Sequence, residues 1–123
     1  MTILIIDDDA EDAMLLYQVI VEIAPNVRCI ISNSYQAAKE FLDDETAPDF
    51  IFLNAMMYPI GGKEALIRLT QMDKLSDTVI IINSGLLTKL QVDEFTTLGA
   101  DRVMQKAPDH HAMVASVKSI LSR

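Results

Sequence analysis

Four polar positions of the sequence lie within two residues of the ends of apolar runs, and together they carry residue types suited to phosphoryl chemistry. They are the acidic triplet Asp7-Asp8-Asp9, the amide of Asn54, the hydroxyl of Ser84 and the ammonium of Lys106. Adjacent carboxylates suit a hard divalent cation such as Mg²⁺, which prefers oxygen ligands. A hydroxyl and an ammonium can hold two oxygens of a phosphoryl group. The nucleophile is missing, because Asn54 presents an amide where a carboxylate would be far more reactive.

Five short apolar runs alternate with five segments of helical spacing, and this alternation predicts where the polar positions meet. The runs are nearly uninterrupted and rich in β-branched residues, as expected for parallel strands covered on both faces. They are Ile3–Ile6, Val27–Ile31, Phe50–Leu53, Val79–Ile82 and, with the weakest signal, Arg102–Met104. Strict alternation predicts right-handed crossovers and a three-layer α/β sandwich. Ligand sites of such sheets lie at the carboxyl ends of the strands, where all four polar positions fall.

The helical segments carry boundary signals of their own. Ser34 and Asp109 are expected N-caps of the second and the last helix. The first helix is expected to end before Pro25, and the fourth at Gly99, an expected C-cap.

Each polar position also has a plain structural interpretation. An acidic triplet after a strand can cap a helix, since acids near a helix N-terminus are favourable. Ser84 alone is typical of a turn, Lys106 alone of a solvated surface, and Asn54 alone of a turn former. The joint placement at four strand ends is what favours a functional site.

The composition limits the classes of partner. The 123 residues are sufficient for a single domain spanning 1–123, and half of them are apolar, which excludes intrinsic disorder. The net charge of −8 argues against direct binding to nucleic acid or an anionic membrane. A lone Cys29, no visible signal peptide and no membrane-spanning run predict a reduced cytoplasmic protein.

Four motifs in order resemble the receiver domain of bacterial two-component response regulators, and the similarity spans essentially the whole chain. The motifs are "ILIIDDDAEDA", "PDFIFLNAMMYPIGG", "VIIINSG" and "GADRVMQKAP". The resemblance implies a flavodoxin-like, doubly wound, five-stranded parallel sheet of order 2-1-3-4-5. It also implies a non-enzymatic phosphorelay module for signal transduction.

The resemblance implies a role for each residue of the site. Asp7 and Asp8 match the acidic pair that binds Mg²⁺, with Asp8 the more direct ligand, and the backbone carbonyl of Met56 would be a further ligand. Ser84 matches the hydroxyl that follows the phosphoryl group. Lys106 matches the lysine that pairs with the acceptor and then with the phosphoryl oxygens, and Asn54 falls where the family has its phosphorylated aspartate.

Three features depart from the family pattern. Asn54 replaces the acceptor carboxylate, and Val103 lies where the family often has a switching Tyr or Phe. The usual Met-Pro and Lys-Pro pairs are both displaced, to Met57-Tyr58-Pro59 and Lys106-Ala107-Pro108. A cis Lys-Pro bond is therefore excluded, and a cis Ala107–Pro108 bond is not implied.

These departures predict a pseudo-receiver, a receiver fold kept for protein binding with no acyl phosphate at position 54. Losing one carboxylate should weaken Mg²⁺ binding, because ligand charge sets much of the affinity. The expected partner is a sensor histidine kinase, a phosphotransfer protein or an output protein. By resemblance the interaction surface is formed by the fourth helix, the fifth strand and the fifth helix, and it includes Lys89, Glu94, Arg102 and Gln105. A homodimer formed through this surface is one possibility. The same residues are equally typical of a simple solvated face.

Three alternatives remain open from the sequence. Asn54 could be an engineered block in an ordinary phospho-accepting receiver, although Val103 and the displaced prolines weigh against this. A small phosphohydrolase similar to haloacid dehalogenases would use Asp7 and Asp9, but that family's late acidic pair is not evident. A flavin binder of the same fold would need a hydroxyl-rich loop where this chain has acids.

Overall fold

The computed structural model of the chain describes residues 1–106 and 109–122. The Ala107–Pro108 bond, for which the sequence implies no cis form, lies outside the described residues. In these ranges five parallel strands form one sheet in the order β2-β1-β3-β4-β5. The strands are β1 (Thr2–Ile6), β2 (Arg28–Ser32), β3 (Phe50–Asn54), β4 (Val79–Ser84) and β5 (Arg102–Gln105). The predicted flavodoxin-like fold and its strand order are confirmed.

Five α-helices alternate with the strands along the described ranges. They are α1 (Ala10–Ile23), α2 (Tyr35–Asp44), α3 (Gly62–Thr70), α4 (Lys89–Thr97) and α5 (His110–Leu121). The predicted N-caps are present, since the Ser34 side chain accepts a hydrogen bond from the Ala37 amide and Asp109 accepts one from Ala112. No helix in the described ranges is both long enough and apolar enough to cross a membrane.

The helices form a layer on each face of the sheet, as the strand patterns require. Ile3 and Ile5 of β1 face the core that α1 and α5 cover, whereas Leu4 and Ile6 face the core that α2, α3 and α4 cover. All four are almost completely buried. Because successive side chains of a strand point to opposite faces, the uninterrupted apolar runs supply both cores at once.

The strand bounds differ slightly from the prediction, and the differences matter for the site. β2 begins at Arg28, because the Val27 amide donates to the Ala24 carbonyl and closes the turn after α1. β3 and β4 continue into the polar residues, so that Asn54 pairs with Asn83 in the sheet ladder. The polar ends of both strands are therefore fixed by the sheet itself.

Candidate functional site

The carboxyl edge of the sheet brings together the polar positions singled out from the sequence. Asp7 directly follows β1, Asn54 ends β3, Ser84 ends β4 and Lys106 directly follows β5. Asp7, Asn54 and Ser84 are buried, and Lys106 is half-buried. Sheet register therefore produces the convergence that the alternating pattern predicts.

The acidic triplet divides into three different environments. Asp9 caps α1, because its Oδ1 accepts hydrogen bonds from the Glu11 and Asp12 amides at 3.0 and 3.1 Å. Asp8 is exposed and accepts from the Tyr58 amide at 3.2 Å, in the loop where the Tyr58–Pro59 bond is cis. The plain capping interpretation therefore holds for Asp9.

Asp7 is the buried member of the triplet. Its Oδ1 accepts from the Asp9 amide at 2.9 Å, and its Oδ2 lies 3.4 Å from the Lys106 ammonium. Burial raises the pKa of the Asp7 carboxyl, and the Asp9 hydrogen bond and the Lys106 charge offset this only in part. A buried carboxylate at this point is costly, which is typical of functional sites.

The Asn54 side chain makes two donor contacts with one nitrogen. Its Nδ2 donates to Asp7 Oδ1 at 3.1 Å and to the Met56 carbonyl at 2.8 Å. Its Oδ1 lies 3.5 Å from the Met56 amide. The amide thus joins the end of β1 to the loop after β3.

Lys106 pairs with two carboxylates on the far side of Asp7. Its Nζ lies 2.7 Å from Asp12 Oδ2 and 3.4 Å from Asp7 Oδ2. Burial lowers the pKa of the Lys106 ammonium, but the hydrogen bond to Asp12 and the charges of both acids outweigh it, so the net shift is upward. Burial dominates at Asp7 and ion pairing dominates at Lys106, because Asp7 is the more enclosed of the two. Lys106 makes its side-chain hydrogen bonds, within the described ranges, to these acids and not to Asn54.

Asp12 is a site residue that sequence reasoning missed. It lies in the first turn of α1, where an acid is ordinarily interpreted as favourable to the helix dipole. The available signal was its place in the first turn of the helix that follows β1, since this helix begins at the carboxyl edge of the sheet.

Asn83 and Val103 complete the surroundings of the site. Asn83 is buried next to Ser84, and its Oδ1 has no hydrogen-bond partner among the described residues. It lines a cavity of about 70 Å³ together with Asp12, Lys106 and two apolar side chains. Val103 is half-buried on β5 and packs against the core beneath α2, α3 and α4.

Gly62 provides a close backbone approach beneath the site. Its amide donates to the Ala55 carbonyl at 3.1 Å as α3 begins. A Cβ at this position would lie 2.6 Å from the carbonyl oxygens of both Asn54 and Ala55. The start of α3 can therefore pack against the end of β3 only with glycine here.

The oxygens that would bind a divalent cation already accept hydrogen bonds, so the site in this arrangement does not fit the ion. Asp7 Oδ1 and the Met56 carbonyl both accept from Asn54 Nδ2, and Asp8 Oδ2 accepts from a backbone amide. Across residues 1–106 and 109–122, no three His, Cys, Asp or Glu side chains are arranged to hold a metal ion.

Comparison with known proteins identifies the family. The sequence model of one family, the response regulator receiver domain, matches residues 3–118 of this chain. A signal receiver domain of a DNA-binding response regulator from Colwellia psychrerythraea 34H has a TM-score of 0.86 and 25% identity, covering 100% of this chain and 99% of that chain. The Mn²⁺-bound form of response regulator Rcp1 has a TM-score of 0.84 and 20% identity, covering 98% and 91%.

A third structure supports the same fold. The phosphorylated cyanobacterial phytochrome response regulator RcpA has a TM-score of 0.86 and 16% identity, covering 97% of this chain and 89% of that chain. No curated protein sequence matches the chain at a significant level. The family match over nearly the full length nevertheless decides the assignment: the chain belongs to the response regulator receiver domain family of two-component signalling.

Proposed function

We propose that this receiver accepts no phosphoryl group at position 54 and acts as a pseudo-receiver through protein–protein interaction. The observation that carries the proposal is the amide of Asn54 at the end of β3, hydrogen-bonded to Asp7 and to the Met56 carbonyl. An amide oxygen is neutral and poorly nucleophilic, so attack on phosphorus would need a base to activate it. The adjacent carboxylate of Asp7 is already engaged as an acceptor.

The same proposal assigns the remaining positions. Ser84 and Lys106 keep the phosphoryl-site positions of the family, and Asp7, Asp8 and the Met56 carbonyl keep those of the metal ligands. Val103 removes the aromatic element whose movement would report phosphorylation. Half-buried in the core, its short branched side chain offers no ring to swing between surface and interior.

The proposed partner is a sensor histidine kinase, a phosphotransfer protein or an output protein in the cytoplasm. Receivers of this family act on other proteins rather than as enzymes, and the charge of −8 disfavours nucleic acid and membrane surfaces. We assign the contact to the face of α4, β5 and α5, where Lys89, Arg102 and Gln105 are exposed. Glu94 on this face pairs with Lys63 of α3 at 2.9 Å. A homodimer through this face belongs to the same proposal, as does a single domain over residues 1–123.

An engineered block of an ordinary receiver remains the second candidate for Asn54. The valine at position 103 weighs against it, because blocking the acceptor requires no change there. A phosphohydrolase similar to haloacid dehalogenases receives no support from the family match.

The test uses acetyl phosphate as phosphodonor with Mg²⁺ and intact-mass measurement. We expect no adduct on the wild type and one phosphoryl adduct on Asn54→Asp, since the change restores the nucleophile. Asn26→Asp is the matched control, because Asn26 is exposed in the α1–β2 connection at the opposite edge of the sheet. A stable adduct on the wild-type chain would refute the proposal. An unmodified Asn54→Asp protein would instead show that Asn54 alone does not silence the site.

A further inference from the structure

The two donor contacts of Asn54 fall on the oxygens that the proposed function assigns to a metal. Asp7 Oδ1 and the Met56 carbonyl lie 3.1 and 2.8 Å from one nitrogen, Asn54 Nδ2. A divalent cation between these oxygens would also bring them together around one electropositive centre. The amide NH₂ is therefore a neutral group in the position of a charged one.

The orientation of the Asn54 amide follows from its partners. A carbonyl oxygen is an acceptor only, and so is an ionised carboxylate, hence both contacts require the NH₂ group. The reversed amide would place its oxygen against two other oxygens and its NH₂ against the Met56 N–H. The arrangement gives each polar atom of the Asn54 amide a complementary neighbour, although Oδ1 lies 3.5 Å from the Met56 nitrogen, a longer contact than the two made by Nδ2.

The charge of Asp7 is compensated in part without a cation. Lys106 lies beside Asp7 Oδ2, and Asp12 in turn holds Lys106 at 2.7 Å. The two carboxylate oxygens of Asp7 thus have separate partners, the Asn54 amide on one side and the Lys106 ammonium on the other. The loops that follow β1, β3 and β5 are linked through these contacts.

We infer that the amide of Asn54 takes the structural place of the family's divalent cation, so that the site is closed and stable without metal. Receivers of this family typically bind Mg²⁺ at the phosphorylation site, and this chain replaces that link with a side chain. The inference deepens the proposed function and rests on it for the assignment of position 54. It concerns metal binding, which can be measured without any phosphoryl transfer.

The test measures Mn²⁺ binding by electron paramagnetic resonance of the free ion, with Mg²⁺ as competitor. The proteins are the wild type, Asn54→Asp, Asn54→Ala and the distant control Asn26→Asp. We expect Asn54→Asp to bind at least tenfold more tightly than the wild type, because it removes the donor and adds a carboxylate ligand. Asn54→Ala frees the same oxygens and should bind with intermediate affinity, whereas Asn26→Asp should match the wild type.

Thermal unfolding gives a second readout on the same proteins. Mg²⁺ should leave the Tm of the wild type unchanged and raise that of Asn54→Asp, because a ligand of the native state stabilises it by mass action. Wild-type binding as tight as that of Asn54→Asp would overturn the inference, as would two position-54 variants that bind no more tightly than the wild type. A wild type that binds Mn²⁺ as tightly as Asn54→Asp but gains no phosphoryl group would overturn this inference alone and leave the proposed function standing.

Discussion

The two edges of the sheet use aspartates in opposite ways. At the amino edge, Asp49 Oδ2 accepts from the Thr2 amide and Asp101 Oδ2 accepts from the Ile80 amide, each at 2.8 Å. These acids satisfy backbone donors where strands begin, and both remain exposed to solvent. At the carboxyl edge, Asp7 is buried and its partners include two side chains, Asn54 and Lys106.

The difference shows where this domain accepts an energetic cost. An exposed carboxylate on a backbone amide keeps most of its hydration and gains a charge-assisted hydrogen bond. Asp7 loses its hydration, and its raised pKa records that the compensation is incomplete. Asp7 is the only buried charged residue in the described ranges, and its place at the carboxyl edge points to a functional arrangement rather than to the needs of folding.

The largest expected effect comes from the backbone approach beneath the carboxyl edge. Gly62→Ala should lower the free energy of unfolding by about 2 kcal/mol or more, because the new Cβ meets two backbone oxygens that cannot move aside. Gly61→Ala is the matched control, since its Cβ would have 3.8 Å to the nearest atom. It should change stability by less than about 1 kcal/mol.

Urea unfolding of the two glycine variants measures this difference. Equal stabilities of the Gly61 and Gly62 variants would mean that α3 can retreat from β3 without cost. The contact between α3 and the end of β3 would then hold Asn54 in place less firmly than the geometry indicates.

A smaller effect, opposite in sign at the two edges, is expected when one carboxylate becomes an amide. Asp101→Asn should cost about 0.5–1 kcal/mol, because a charge-assisted hydrogen bond becomes neutral. Asp7→Asn should raise the Tm by a few degrees at pH 7, since it removes a buried charge and keeps an acceptor for Asp9 and Asn54.

The pH dependence distinguishes the cause at Asp7. Burial raises the pKa of Asp7 above its usual 3.8, so the native state binds the proton more tightly than the unfolded chain. Protonation of Asp7 therefore stabilises the wild type fully below about pH 3.8. This stabilisation is lost as the pH rises through the native pKa. Thermal unfolding from pH 3.5 to 7.5 should show the advantage of Asp7→Asn shrinking on acidification. A stability advantage of Asp7→Asn that does not change with pH would contradict burial of the charge as the cause. So would an Asp7→Asn protein that is less stable than the wild type at pH 7.

Sequence reasoning recovered the fold because its signals are local and repeated. Continuous apolar runs required two covered faces, and the caps at Ser34 and Asp109 marked where helices begin. The convergence of Asp7, Asn54 and Lys106 followed from parallel topology alone. The pairing of Lys106 with Asp12 did not, because it depends on how α1 lies over the sheet. The double contact of the Asn54 nitrogen was likewise beyond prediction, since it depends on where the Met56 carbonyl points.

The most direct test of the account is the nuclear magnetic resonance signal of the Asn54 side-chain NH₂ in ¹⁵N-labelled protein. Its signal is identified by its absence from Asn54→Ala, and the exposed Asn26 amide serves as the internal reference. We predict slow solvent exchange of both protons, because one is hydrogen-bonded to Asp7 Oδ1 and the other to the Met56 carbonyl oxygen. We also predict that adding Mg²⁺ leaves their chemical shifts unchanged. Exchange as fast as that of Asn26, or signals displaced by Mg²⁺, would contradict the claim that this amide stands in the place of the cation.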